Sequence, residues 1–491
     1  MAEDTNEKVY ASECECKQIA LYSIDDESTP YANLIGMAVT VQYHEDIFWP
    51  AFGATMTVVD NQENLISSMP IQGFEKVVME FEDVLGETYA YTFRLWTVQN
   101  RIQRERRNVY TLGLISEAGL RNETSRVNSM IEGNTSTKVK ELLSKRLNIP
   151  EGQIDAEASA TSIKILPTKK TPFALIRSLQ HKTVSERTGK IGAAQNPPDK
   201  VEIRYGRGGT GISKTVTKTD VNPEIAEKAT GTAGYLFFQT RKGHVFRSID
   251  SLVSSDDEFN GKPPVNLEDP FFMSRAAVAE GDETRKRIQE INFGNELNIM
   301  KKLREGAYSS LCCFFNINTG EYEEQVYRLE DMWDNMAHMG SQTKLGSGQK
   351  TLSEFPSRIM STIVNHETQY MGSKVASNED KHGGDGDNSY PDWQKQFLTQ
   401  GIARLGILFN QELTISLTGH LELCAGDKVE VRIPNQMPDD EKRPVWDPEH
   451  SGTYLIKKLN HQFNIPGKSV YTVLELIRDS YGIKDQESKV K

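Results

Sequence analysis

The chain has 491 residues, enough for two to four domains that each have a hydrophobic core. Hydrophobic residues make up 37% of it and charged residues 26%, and no apolar run approaches the ~20 residues of a membrane helix. The net charge of −12 repels phosphate backbones, which argues against sequence-specific DNA binding. The segment Met1–Lys8 lacks the basic and apolar parts of a secretory signal, which predicts residence in a cytoplasm.

The cysteines predict reduced thiols. Their odd number and irregular spacing argue against a disulfide framework. Two of them form a C-x-C pair of the kind that binds zinc, but no matching second pair follows. The five are Cys14, Cys16, Cys312, Cys313 and Cys424.

The first region, residues 19–118, is predicted to be an antiparallel β domain. Its short runs are rich in β-branched and aromatic residues, as in Val77–Phe81 and Tyr89–Leu95, and Asp-Asn, Pro and Gly separate them. No long helical pattern intervenes, so we expect a sandwich or a barrel.

Residues 119–252 are predicted to form an α+β domain. The stretch Ser136–Leu147 carries apolar residues at helical spacing, with Ser136 as its cap, and Pro172 is expected at the first position of a second helix. The runs Tyr235–Gln239 and His244–Arg247 are typical of a β-hairpin.

The rest of the chain alternates between polar and β-rich stretches. We predict helices over Asp282–Lys302 and Gln394–Leu405, a strand over Leu311–Ile317 and a final β region over 407–480. The stretch 340–392 is rich in Ser, Gly, Asn and Asp, which is typical of a linker. The predicted parts are an N-terminal tail (1–18), a first tube-like β-barrel domain (19–118), an α+β domain (119–252), a linker and helix (253–303), a second tube-like β-barrel domain (304–335 and 400–482), a polar flexible excursion (336–399) and a C-terminal tail (483–491).

The first and last β regions look like copies of each other. Four segments match in the same order with similar spacing, although unrelated β-barrels also resemble one another at this level. The matched pairs are Thr55–Val59 with Leu413–Leu417, Gly73–Phe81 with Gly426–Ile433, Leu95–Val98 with Tyr454–Lys457, and Val109–Leu112 with Val470–Val473. Three chains with two such modules each would present six modules, with exact threefold and approximate sixfold symmetry.

Several segments carry a family resemblance: Ile71–Phe81, Tyr91–Val98, Tyr110–Glu117, Thr171–Leu179, Tyr235–Phe246 and Gly426–Val431. In these the sequence resembles the central baseplate hub proteins of contractile-tailed phages, which share architecture with the spike proteins of type VI secretion systems. The resemblance implies a mainly β fold with α+β parts, in which two tube-like antiparallel β-barrel domains share one chain with an inserted α+β domain. It implies a homotrimer in the virion tail baseplate, assembled in the host cytoplasm.

The same resemblance implies the partners. They are a trimeric spike protein, a hexameric tail tube or tube-initiator protein and baseplate wedge proteins, with DNA only in transit through the bore and no membrane insertion. The net negative charge suits a wall that DNA passes without binding.

Motifs of catalysis or cofactor binding are not supported. The stretch Gly206–Gly211 has the form G-x-G-x-x-G, but the following Ile212–Lys218 alternates like a strand, whereas a dinucleotide site needs a helix there. The trio His44–Asp46 has no second histidine at helical spacing, and Asp385–Ser389 lacks the last glutamate of a calcium loop. We expect no catalytic residue, cofactor or metal.

A basic cluster in the acidic chain is the candidate interface. It comprises Arg101, Arg104, Arg106 and Arg107. It is either a solvated hairpin turn or a docking site for an acidic neighbouring subunit. Two other functions stay open: a tail-associated peptidoglycan hydrolase, and a secretion-system or pyocin spike component. The second of these predicts a C-terminal β-helix, which the 491 residues do not contain.

Overall fold

The fold was taken from a computed structural model of the full chain. The residues it describes are 11–60, 65, 71–104, 107–186, 200–205, 212–217, 233–274, 283–294, 298–317, 320, 322–329, 333, 336–340, 352–353, 355–363, 393–435 and 446–481. Among them, no helix is long and apolar enough to cross a membrane.

The strands that the structure describes in the first region are paired antiparallel, as its sequence predicts. Side chains alternate between core and solvent along each strand, so that Val77, Met79 and Phe81 all face the core. The strands are β1 (Glu15–Tyr22), β2 (Pro30–Asn33), β3 (Ala38–Asp46), β4 (Gly53–Asp60), β5 (Lys76–Glu82), β6 (Thr88–Arg104) and β7 (Arg107–Ile115).

The middle region is an α+β unit, also as predicted. Its elements are α1 (Glu117–Thr124), β8 (Ile131–Asn134), α2 (Thr135–Leu147), β9 (Ile154–Ala156), β10 (Ser162–Ile165), α3 (Pro172–Gln180), β11 (Lys200–Tyr205), β12 (Ile212–Thr217), β13 (Tyr235–Thr240), β14 (Gly243–Ser248) and α4 (Ile249–Val253). The hairpin of β13 and β14 is confirmed, with Thr240 paired to Gly243 at its turn.

Two local predictions in this region have different outcomes. Pro172 does open α3, where Thr171 caps the helix. The predicted cap of α2 is wrong, because Asn134 accepts the hydrogen bond from Thr137 N–H while the Ser136 hydroxyl donates to the Glu157 carbonyl. Strands β11 and β12 pair antiparallel, as expected for a glycine-rich hairpin, and the motif 206–211 between them lies outside the described residues.

The last region mixes short helices and strands. They are β15 (Phe271–Phe272), α5 (Glu283–Lys286), β16 (Glu290–Phe293), α6 (Ile299–Glu305), β17 (Ser309–Phe315), β18 (Tyr322–Arg328), β19 (Arg358–Ile363), α7 (Trp393–Leu408), β20 (Gln411–Thr418), β21 (Lys428–Arg432), β22 (Gly452–Asn464) and β23 (Ser469–Arg478).

Two predictions for this region are corrected. The single helix expected over Asp282–Lys302 is wrong, because β16 separates two short helices there. Strands β17 and β18, expected in the second β-barrel domain, instead pair with each other and with β19 in a separate three-stranded sheet. The calcium-like Asp385–Ser389 lies outside the described residues, and the other predicted boundaries stay predictions.

One 13-stranded sheet holds the first and last β regions together. Its main path runs β16-β20-β23-β22-β3-β4-β7-β6-β5-β1-β2, and β21 joins β22 from the side. The path crosses from the last region to the first at the pair β22–β3. Both regions share one hydrophobic core on the inner face of this sheet.

A buried ion-pair group fixes the last region to the middle one. The guanidinium of Arg404 in α7 lies 3.1 Å from the Asp250 carboxylate in α4 and 2.8 Å from the Asp479 carboxylate after β23. All three side chains are excluded from solvent. Such a group is stable when its charges are mutually paired, so the helix and the end of the sheet are held in one arrangement.

Candidate functional site: the junction of two related β modules

Two sets of four strands have the same connectivity. In module 1 (β1–β7) the sheet order is β4-β7-β6-β5, and in module 2 (β16 and β20–β23) it is β20-β23-β22-β21. All these neighbours are antiparallel. The four strand matches of the sequence therefore identify corresponding strands in the correct order.

A shared irregularity strengthens the correspondence. The pairing of β6 with β7 shifts between Leu95 and Thr97, and the pairing of β22 with β23 shifts between Ile456 and Lys458. When Lys76 of β5 is matched to Lys428 of β21, the two shifts fall at the same position. A β-bulge is a defined feature of a fold, so its repetition indicates one module used twice.

The residue-level matches of the sequence are partly wrong. The two Val-Tyr-Thr segments do not align, because Tyr110 is fully buried opposite Val58 while Tyr471 is 41% exposed opposite Thr418. Counted from the shared bulge, the counterpart of Tyr110 is Thr472. A shift of one residue moves every side chain to the other face of a strand. The sequence match therefore pairs identical residue types that lie on opposite faces of the two strands.

The structure adds a fifth pair of strands that the sequence search missed. Strand β3 flanks β4 in module 1, and β16 flanks β20 in module 2. When Met56 is matched to Ile415, Val41 corresponds to Ile291, Gln42 to Asn292 and Tyr43 to Phe293. The chemical similarity of these pairs could identify β16 as the counterpart of β3. The similarity is difficult to detect in the sequence because β16 lies far from β20, in a stretch predicted to be helical.

The modules meet through strand pairing between β3 and β22. Seven residue pairs run from Lys458–Asp46 to Asn464–Thr40 in antiparallel register. The second half of β22 therefore has two partners, β23 on one edge and β3 on the other. Backbone hydrogen bonds cross from one module to the other without a gap, and the two modules form a continuous sheet.

Aromatic rings fill the core beneath this junction. The rings of Phe463 and Phe81 stack with centroids 3.9 Å apart, and those of Tyr43 and His461 stack at 5.9 Å. Tyr43 also packs on Tyr91, with centroids 4.8 Å apart. Such contacts add to the free energy gained by burying the rings, so each module depends on the other for its packing.

A buried carboxylate ties the junction to the middle domain. Glu45 of β3 accepts a hydrogen bond from the Tyr43 hydroxyl, from Arg241 N–H at 2.6 Å and from Ala425 N–H at 2.7 Å. Arg241 lies in the β13–β14 turn and Ala425 in the loop before β21, so one side chain joins three parts of the chain. Burial raises the pKa of Glu45 to about 7.

The histidine of the junction is held in its neutral form. His461 is fully buried, and its Nδ1 lies 2.9 Å from the hydroxyl oxygen of Thr472. Burial lowers its pKa to about 3 because the charged imidazole would lose its hydration. The site is therefore a packed joint with polar groups that fix its register. The sequence trio His44–Asp46 forms part of this joint through Glu45.

The equivalent half of β6 lacks such a partner among the described residues. Beyond Leu95 it pairs with β7 along one edge, and no described strand pairs with its other edge. Its side chains Trp96 and Ile102 are 54% and 55% exposed. An apolar edge strand with unpaired N–H and C=O groups is a template for pairing with another chain.

The predicted arginine cluster lies on this open edge and its turn. Arg101 is exposed on β6, Arg104 ends β6, and Arg107 begins β7 and is exposed. Arg106 lies outside the described residues. The turn after β6 corresponds to the turn after β22, because the pairs Arg104–Arg107 and Asn464–Ser469 are equivalent. Whether the cluster contacts another subunit stays a prediction.

The fold is thus that of a protein with two related antiparallel β modules joined edge to edge and an α+β domain beside the joint. No family model and no curated protein matches the chain. It is similar over 96% of its length to a tail protein from Neisseria meningitidis MC58, covering 97% of that chain at 11% identity and a TM-score of 0.45. It is similar over 94% of its length to the 43 kDa tail protein of prophage MuSo2 from Shewanella oneidensis, covering 98% of that chain at 8% identity and a TM-score of 0.48.

A third similar structure is a complex of two proteins. It is the half-lidded PdpA–VgrG complex of Francisella, matched over 96% of this chain and 59% of that one at 7% identity and a TM-score of 0.42. The solved structures that the chain resembles thus include two tail proteins and a complex that contains VgrG.

Proposed function

We propose that the chain is a structural subunit of the central baseplate hub of a contractile phage tail. Three copies form a ring of six β modules, with exact threefold and approximate sixfold symmetry. The observation that supports this proposal is the repeated strand order, β4-β7-β6-β5 and β20-β23-β22-β21, joined edge to edge within one chain.

The physical reason is symmetry matching. A ring of six like modules fits a hexameric tail tube or tube initiator on one face, while its threefold symmetry fits a trimeric spike on the other. The −12 net charge favours a bore that DNA crosses without binding. Wedge proteins of the baseplate would bind the outside of the ring. The proposed role is assembly and not catalysis.

The oligomeric mass and shape of the purified chain test this proposal. Light scattering coupled to size exclusion is expected to give three times the mass of the chain, and negative-stain images are expected to show a ring with a central hole. Obligate interfaces of this kind commonly bury more than ~2,000 Å², so the trimer should persist at low concentration. A monomer at high concentration would contradict the proposal.

A zymogram on peptidoglycan tests the structural role separately. We expect no clearing. A clearing band that is abolished by one Glu or Asp substitution would favour the hydrolase instead.

A further inference from the structure

We propose that the open half of β6 receives β16 of a second copy as an added antiparallel strand. This contact would copy the β3–β22 junction between subunits. The inference rests on the proposed trimer and names the two strands that would hold it together.

The register follows from the internal junction. Strand β16 is the counterpart of β3, and the second half of β6 is the counterpart of the second half of β22. At the internal junction, residue 42 lies opposite 462, 41 opposite 463, and 40 opposite 464. Replacing each residue by its counterpart in the other module gives the intermolecular pairs Asn292–Ile102, Ile291–Gln103 and Glu290–Arg104. Opposite charges at directly paired positions of two strands stabilise the pairing, and this register puts Glu290 and Arg104 at paired positions.

Within one chain, no strand of the described residues pairs with the outer edge of β16 or with the second half of β6 opposite β7. Among the described residues, β16 pairs with β20 along one edge only. Phe293 at its end is 41% exposed, whereas its counterpart Tyr43 at the filled junction is 2% exposed. The difference in exposure is the one expected if Phe293 is covered when the neighbouring copy is present.

One local difference between β6 and β22 limits how many residue pairs of the β3–β22 junction can be repeated between subunits. Strand β6 contains Asn100 and Arg101 where β22 has His461, and the pairing with β7 shifts there. Asn100 has a φ of +53°, which a bulge allows. Phe293 would therefore lie opposite the bulge, and the regular pairing would run from Asn292 to Glu290.

Cysteine cross-linking tests the register. Residues directly opposite in antiparallel strands have Cα atoms about 4.5–5.5 Å apart, which is within disulfide range. The variant Asn292→Cys/Ile102→Cys changes two exposed residues. Under oxidised glutathione it is expected to give covalent dimers and trimers on non-reducing gels, and the unmodified chain is expected to give none.

Two matched variants serve as controls. Gln42→Cys/Gln462→Cys puts cysteines at the equivalent pair of the internal junction, where both positions are exposed. It is expected to form a disulfide within one chain, so the mass on the gel does not change. Asn292→Cys/Leu85→Cys uses an exposed position at the far turn of module 1 and is expected to stay uncross-linked.

The outcomes separate this inference from the proposed function. A trimer in solution with no cross-link in Asn292→Cys/Ile102→Cys would overturn the strand addition and leave the ring intact. Cross-linking of Ile102→Cys alone would show pairing of β6 with β6 and would also overturn it. A monomeric unmodified chain would contradict the proposed function itself.

A charge exchange gives a second measurement. Glu290→Arg is expected to raise the dissociation constant of the trimer at least tenfold, because two like charges would then face each other. Adding Arg104→Glu is expected to restore it to within about threefold of the original. Equal weakening by the single and the double variant would overturn the register.

Discussion

The second half of β22 and the second half of β6 are equivalent segments that follow the same bulge, yet their surroundings differ. In β22 the edge is covered by β3 and the side chains beneath it are buried. In β6 the corresponding edge is exposed among the described residues, with apolar and basic side chains along it. One of these two equivalent contacts is made within the chain, and we propose that a second molecule makes the other.

The largest expected difference between the two segments concerns Phe463 and its counterpart Gln103. Phe463→Ala should lower the free energy of unfolding by about 3–5 kcal/mol, because it removes a buried ring stacked on Phe81. Gln103→Ala should change it by less than about 0.5 kcal/mol, because that side chain is exposed. Urea unfolding of dilute protein measures both, and equal costs would remove the distinction.

The next effect is a pH dependence at the filled junction. The pKa of Glu45 is raised to about 7, so its contribution to stability is fully present below its ordinary pKa near 4.5 and is lost as pH rises through about 7. Glu45→Gln should abolish this loss, which amounts to about 2–3 kcal/mol between pH 4.5 and 8.

The control for this prediction is His461, whose pKa is shifted in the opposite direction. The pKa of His461 is lowered to about 3, so its contribution is present above its ordinary pKa near 6.5 and is lost as pH falls toward 3. Both Glu45→Gln and the wild type should therefore lose stability at low pH. If the unfolding free energies of the wild type and of Glu45→Gln differ by a constant amount from pH 4.5 to 8, Glu45 is not the source of the loss of stability at high pH.

The smallest effect compares the turns before β5 and β21. The N–H of Phe74 donates to the Leu95 carbonyl, and the N–H of Gly426 donates to the equivalent Ile456 carbonyl. Both have positive φ, +88° and +85°. Gly426→Ala should cost about 1–3 kcal/mol, since the new Cβ would also lie 2.6 Å from the Phe238 ring.

Phe74→Gly is the counterpart change in module 1. It relieves a strained φ but loses the contact of the ring with the Arg94 guanidinium, 4.9 Å away. We expect the free energy of unfolding, measured by thermal unfolding at the midpoint temperature, to change by less than about 1 kcal/mol. If Gly426→Ala were as well tolerated, the close packing of this turn against the middle domain would not matter for stability.

Sequence patterns located the elements more reliably than their contacts. The alternation of apolar residues along β5 and the hairpin of β13 and β14 were predictable, because both signals are local. The cap of α2 was misassigned by two residues, since Ser136 finds a tertiary partner in the Glu157 carbonyl. The matches of β4 with β20 and β7 with β23 slipped by one residue, because letter identity does not report which face of a strand is buried.

The candidate site was predictable only in part. The basic cluster at Arg101–Arg107 lies at the end of the β6 half that is proposed to receive a second copy, but no local pattern in β6 indicates that this edge lacks a partner among the described residues. The sequence predicts a helix at β16 because the four residues of this strand lie between two helical stretches.

By itself, the sequence determined that the chain is mainly β, that it carries two sets of four similar strands, and the order of those strands. Only the tertiary structure decided which edges are paired, where the fifth strand of module 2 comes from, and that β3 covers an edge of β22 whose equivalent in β6 has no partner among the described residues. The physical reason is that side-chain alternation specifies a buried face, whereas an edge is filled by backbone hydrogen bonds to a strand that can come from anywhere in the chain, or from another chain.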